Sequence, residues 1–125
     1  MALVQGSLSA SRCSVVARAC SFSRLFTAVM STQAALAKTG MSWDDITWFV
    51  PHQANLRINE KVVEVAKIPA EKVLNSIEFY GNTTAATVPL TIDYWRQQGK
   101  VKKGDRILSS VFGSGFTWGA AIFTL

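Results

Sequence analysis

A chain of 125 residues, 49% of them apolar, is long enough for one domain with a real core, and its modest charge content argues against disorder throughout. The net charge of +5 favours an acidic partner, but no lysine and arginine cluster interleaved with aromatics, no zinc spacing and no recognition motif marks a nucleic-acid binder. No uninterrupted apolar stretch is long enough to cross a bilayer.

Residues 1–24 are rich in serine, carry Arg12, Arg18 and Arg24 without any acid, and show no clean apolar period. They are expected to be an unstructured leader, either similar to an organelle transit peptide or a mispredicted start of the reading frame. Cys13 and Cys20, seven apart, fit neither a disulfide framework nor a metal knuckle, and point weakly to a reducing compartment.

The regular domain is expected over 25–125. Leu25, Phe26, Val29, Met30 and Leu36 repeat with a helical period that stops at Gly40. "ITWFV" (46–50) reads as a short buried strand closed by Pro51. "ANLRINEKVVEVAK" then reads as an amphipathic helix, with Leu56, Ile58, Val62, Val63 and Val65 inside and Arg57, Asn59, Lys61 and Glu64 outside. "VLNSIEF" (73–79) alternates as a strand would and runs into the polar turn "YGNTT". The following segment, to Gly99, reads as a helix that either kinks at Pro89 or begins its regular part near Val88. "DRILSSVFGSG" and "FTWGAAIFTL" supply a strand, a glycine-rich turn and a last strand. Strands alternating with helices predict an α/β layered fold. Trp43, Trp48, Trp95 and Trp118 are expected to pack or anchor an interface.

Polar groups collect after the strands, where chemistry usually sits. His52, the only histidine, follows the first strand; Asn82 follows the second; "FGSGF" (112–116) follows the third and offers open backbone N–H groups. A lone histidine is often structural, and Asn82 ahead of a helix can be a simple N-cap. Arg57 and Lys61 also fit an ordinary solvated helix face, and "GSGFTWG" a tight hairpin turn.

"WFVPHQANLRI", "GNTTAATVP" and "GSGFTWGAA", in that order, resemble the signature segments of the C-terminal half of β-ketoacyl-acyl carrier protein synthase III, a thiolase-like condensing enzyme that starts fatty acid synthesis. The resemblance covers about residues 25–125. It implies half of a layered α-β-α fold and an acyltransferase that condenses acyl-CoA with malonyl-acyl carrier protein. It also implies His52 and Asn82 as catalytic donors to the malonyl thioester oxygen, and the backbone N–H of Ser114 in a second oxyanion hole. Asn55 would touch the pantetheine arm, and Arg57, with Lys61 one turn on, would meet the acidic carrier protein. No metal and no cofactor are implied beyond the phosphopantetheine borne by the substrates.

The family's nucleophilic cysteine belongs to an N-terminal half-domain, and neither Cys13 nor Cys20 matches it. The chain is therefore expected to act only when paired with a separate N-terminal half or completed by sequence outside it, with an N-terminal half-domain or a homo-oligomer as its protein partner, or else to be a truncated, non-catalytic fragment or a carrier-protein- or pantetheine-binding module. Its expected compartment is the cytoplasm, or a plastid or mitochondrion if residues 1–24 are a transit peptide.

Overall fold

The computed structural model describes the backbone of residues 2–7, 16–113 and 117–125, and the side chains of Gln5, 25–113 and 117–125. In chain order the elements are β1 (Ala2–Ser7), α1 (Val16–Thr39), β2 (Trp48–Pro51), α2 (Leu56–Val65), α3 (Ile77–Tyr80), α4 (Thr87–Gln97), β3 (Arg106–Gly113) and β4 (Thr117–Thr124). The strands form one mixed sheet in the order β1-β4-β3-β2. β2 runs parallel to β3, with Trp48 opposite Ile107, while β3 and β4 are antiparallel, with Gly113 opposite Thr117.

Period-2 alternation along the strands splits the core into two layers. Phe49, Leu108, Ala120 and Ile122 join Ala28, Val29, Ala35 and Leu36 of α1 and Val62 of α2 in one buried cluster. Val50 and Ile107 join Leu74 and Val101 in a second, against which Val88, Ile92 and Trp95 of α4 pack. Helices therefore cover both faces of the sheet, as the sequence predicts. Three of the tryptophans pack as expected: Trp43 against the first cluster, Trp48 and Trp95 against the second.

The structure differs from the sequence reading at four places. Ala2–Ser7, expected to be unstructured, pairs antiparallel with β4 along its whole length, from Ala2 opposite Ile122 to Ser7 opposite Thr117. The bonds of that ladder come from a partner more than a hundred residues away, so composition could not reveal them. α1 likewise begins at Val16, inside the expected leader.

Along α1 the helical period is right but the buried stripe is rotated. Thr27, Ala28, Ser31, Thr32 and Ala35 face the sheet, while Phe26 and Met30 are 58% and 47% exposed. Small residues let the helix approach closely: the Ser31 and Ser110 hydroxyls lie 3.2 Å apart, and Ser110 Oγ donates to the Ala28 carbonyl at 3.3 Å. On α2, Asn59 is buried and donates to Asn75 Oδ1 at 3.1 Å, whereas Val65 is exposed.

The expected strand over 73–79 reduces to one parallel bridge between Val73 and Phe49, followed by Leu74 N–H donating to the Phe49 carbonyl at 2.9 Å. Gln53 Oε1 then accepts from the backbone N–H groups of Ser76 and Ile77 at 3.0 and 3.2 Å, which takes the chain off the sheet and starts α3. A side chain distant in sequence thus overrides local alternation. The last helix resolves its two alternatives toward a start near residue 88: α4 begins at Thr87 and holds Pro89 in its first turn, where the missing N–H would have had no intrahelical acceptor.

Candidate active site

A cleft of about 560 Å³ opens at the C-terminal ends of the parallel pair β2 and β3, lined by His52, Asn82, Thr87, Val111, Phe112 and Gly113, among others. The ends of parallel strands are where α/β sheets commonly bind ligands. Three separate chain segments converge there, each held by hydrogen bonds of its own.

His52 extends the β2–β3 ladder by one residue, its N–H donating to the Ser110 carbonyl at 2.8 Å. Its Nδ1 lies 2.6 Å from Thr87 Oγ1, and its ring meets Phe112 edge to face at 5.6 Å between centroids. With Nδ1 engaged inside the fold, Nε2 is the nitrogen without a partner among the described residues. Burial holds the His52 pKa below its ordinary 6.5, because desolvation disfavours the imidazolium. The ring is therefore mostly neutral at pH 7.

Behind His52 lies Gln53, completely buried. Its Nε2 donates to the Pro51 carbonyl at 2.7 Å while Oε1 holds the start of α3. One carboxamide thus ties the His52 turn to the segment that leads to Asn82.

Asn82 sits in an exposed turn between α3 and α4 rather than directly after a strand. Gly81, at φ 64°, ends α3 in the left-handed region that glycine reaches without strain. Thr84, at φ 54°, does not share that freedom, and such a conformation costs a β-branched residue on the order of 1–3 kcal/mol. Asn82 Oδ1 offsets part of that cost by accepting the Thr84 N–H at 2.9 Å. The bond also fixes the amide's orientation: the oxygen faces Thr84, and Nδ2, a pure donor, has no partner among the described residues.

Of the remaining sequence candidates, Asn55, Arg57 and Lys61 are not among the lining residues. Asn55 is exposed and caps α2, its Oδ1 accepting the Arg57 N–H at 3.0 Å; it follows Ala54, which does line the cleft. Arg57 and Lys61 are exposed on α2, where Lys61 forms an ion pair with Glu64 at 2.6 Å. Ser114 and Cys13 lie outside the described residues, Cys20 falls in α1, and no thiol is among the described residues of the lining. Sequence reasoning missed Gln53 and Thr87 as parts of the site. Both lie inside the quoted motifs, "WFVPHQANLRI" and "GNTTAATVP", so motif membership was the signal available.

Among the described residues no group of three or more histidine, cysteine, aspartate or glutamate side chains could hold a metal. The cleft instead offers two neutral nitrogens on fixed supports, an arrangement suited to stabilising an oxyanion.

An α-β-α half-domain with a histidine and an asparagine at one strand-end cleft defines the thiolase-like class of condensing folds, and solved structures agree. The chain superimposes on 3-oxoacyl-[acyl-carrier-protein] synthase III from Aquifex aeolicus with a TM-score of 0.82 at 36% identity, covering 86% of this chain and 35% of that one. For the Thermus thermophilus β-ketoacyl-[acyl carrier protein] synthase III the TM-score is 0.86 at 30% identity, over 98% and 45%. In sequence it is 50% identical over 100 residues to β-ketoacyl-[acyl-carrier-protein] synthase III 2 of Bacteroides thetaiotaomicron, covering 79% of this chain and 29% of that protein. It is 52% identical over 89 residues to the corresponding synthase of Microcystis aeruginosa, covering 71% and 27%. Residues 36–125 match the model of the 3-oxoacyl-[acyl-carrier-protein] synthase III C-terminal domain, and the chain belongs to that family. It spans less than a third of the length of these curated relatives.

Proposed function

We propose that this chain supplies the decarboxylating half of a β-ketoacyl-acyl carrier protein synthase III. The reaction has two parts. A cysteine thiolate of the complementary N-terminal half takes the acyl group from acyl-CoA, releasing free CoA thiol. Malonyl-acyl carrier protein then loses carbon dioxide, and the electron pair of the broken carbon–carbon bond moves into an enolate. The enolate carbon attacks the cysteine-bound acyl group, forming the β-ketoacyl-carrier protein thioester and freeing the thiolate.

His52 and Asn82 carry the second part by donating from Nε2 and Nδ2 to the thioester oxygen as negative charge develops on it. The observation that supports this best is that both side chains line one cleft, each with its inner polar atom already engaged by the fold. A preorganised donor of this kind contributes roughly 3–4 kcal/mol to the transition state. Ser114 N–H serves a second oxyanion hole, Asn55 touches the pantetheine arm, and Arg57 with Lys61 receives the acidic carrier protein. No cofactor of its own is required, since phosphopantetheine arrives with each substrate. The complementary half covers the α1 surface that leaves Phe26 and Met30 exposed.

A second reading keeps only the exposed polar surface of Asn55, Arg57 and Lys61 and makes the chain a pantetheine- or carrier-protein-binding module without turnover. One assay separates them: carbon dioxide release from malonyl-acyl carrier protein, with the chain alone and paired with a cysteine-bearing N-terminal half. Release that falls roughly 10²- to 10³-fold in His52→Ala and in Asn82→Ala supports catalysis. No release in either mixture leaves the binding module.

A further inference from the structure

The proposed chemistry depends on which imidazole nitrogen carries the proton. A neutral histidine has one ring N–H, so the cleft meets either a donor or a lone pair. His52 Nδ1 lies against Thr87 Oγ1 at 2.6 Å, and Thr87 is only 2% exposed, so solvent competes little for that contact.

The Thr87 hydroxyl carries a single proton and has two acceptors in reach. One is His52 Nδ1; the other is the Thr84 carbonyl at 3.0 Å. These acceptors differ in need. Thr84 O already receives the Thr87 backbone N–H, whereas Nδ1 has no other donor among the described residues. Turning the hydroxyl toward Nδ1 leaves no carbonyl orphaned, and it uses the shorter of the two contacts.

The hydroxyl is also well held. Thr87 is β-branched and stands in the first turn of α4, which restricts its rotamers. Its carbonyl accepts from Thr91 Oγ1 at 2.7 Å, and Thr91 Oγ1 lies 2.6 Å from Ser76 Oγ. Ser76 is the residue whose N–H is bound by Gln53. A buried line of polar groups therefore connects the support of the His52 turn with the backbone of the residue whose hydroxyl faces the ring.

We propose that Thr87 is a positioning residue whose hydroxyl donates to His52 Nδ1, holding the neutral ring in the tautomer that presents Nε2–H to the cleft. This rests on the functional reading above only for its consequence; the tautomer is measurable without turnover.

The test uses the fact that His52 is the only histidine in the sequence, so its ring signals need no assignment. The chain is labelled with ¹⁵N-histidine and its ring nitrogens are recorded at neutral pH, by magic-angle spinning of sedimented protein if it self-associates. A protonated Nε2 beside a bare Nδ1 is expected, with the same pattern in Thr87→Ser and a mixture of tautomers in Thr87→Val. Protonated Nδ1 in the unsubstituted chain overturns the proposal, and that measurement needs no variant to fold. Identical tautomers in Thr87→Val and the unsubstituted chain overturn it as well. In the paired enzyme, Thr87→Val lowers kcat, approaching the roughly 10²-fold loss of one oxyanion donor, with KM little changed and recovery in Thr87→Ser. Absence of turnover in every form, together with the expected tautomers, sinks the functional reading while the assignment of Thr87 stands.

Discussion

Replacing Gln53 with alanine removes three bonds at once, and the cost follows from where the orphaned groups lie. The Pro51 carbonyl and the Ser76 N–H are buried, so neither regains water readily, while the Ile77 N–H is in a partly exposed residue. A buried polar group left unpaired costs about 1–3 kcal/mol. Two such groups, with some relief from a water entering the vacated space, give about 3–4 kcal/mol, a large share of a domain's total stability. Urea unfolding followed by tryptophan fluorescence measures this, on the chain itself or on its complex with a cysteine-bearing half. The isosteric Gln53→Glu keeps the two acceptances but sets a carboxylate against the Pro51 carbonyl. It is expected to be destabilised near neutral pH and to recover in acid, where the protonated carboxyl donates as the amide did. A loss below about 1 kcal/mol in Gln53→Ala, with His52 signals unchanged, would refute the idea that this carboxamide holds the site together.

Three further outcomes are expected. Phe26→Gln with Met30→Gln reduces self-association of the chain and weakens its pairing with an N-terminal half by about 2–3 kcal/mol, since roughly half of each side chain is available for burial; unchanged sedimentation and affinity would count against an interface on α1. Because burial depresses the His52 pKa below 6.5, the unfolded chain binds more protons in acid than the folded one. Stability is therefore complete above the unfolded value and falls as pH drops through the folded one, and His52→Gln should flatten that part of the profile. Arg57→Glu raises KM for carrier protein and weakens its salt dependence more than Lys61→Glu does, because Lys61 already pairs with Glu64; equal effects would remove the distinction.

What could be read from the sequence followed from local signals. The order of strands and helices from β2 onward, apart from 73–79, came from periodicity, Gly40, Pro51 and Gly99, and His52 and Asn82 stood out because polar residues interrupt apolar runs at element ends. The failures share a physical cause, which is side chains and strands answering to distant partners. "VLNSIEF" alternates like a strand, yet Gln53 captures Ser76 and Ile77 and turns it into a helix start. Asn59 reads as a surface residue until Asn75 is beside it, and Ala2–Ser7 reads as leader until β4 is beside it. Phe26 and Met30 read as core because they are large and apolar, whereas the sheet accepts the small side of the same helix. Thr87 carries no sequence signal beyond its place in "GNTTAATVP", and only the fold sets its hydroxyl against the ring of a histidine 35 positions earlier.

The account's central claim is that His52 and Asn82 act on one oxygen. A structure of the chain paired with a cysteine-bearing half and soaked with a non-hydrolysable malonyl-pantetheine thioester analogue tests it most directly. The thioester carbonyl oxygen is predicted to sit about 3 Å from both His52 Nε2 and Asn82 Nδ2. An analogue bound in the cleft with its carbonyl turned away from either nitrogen would contradict the claim.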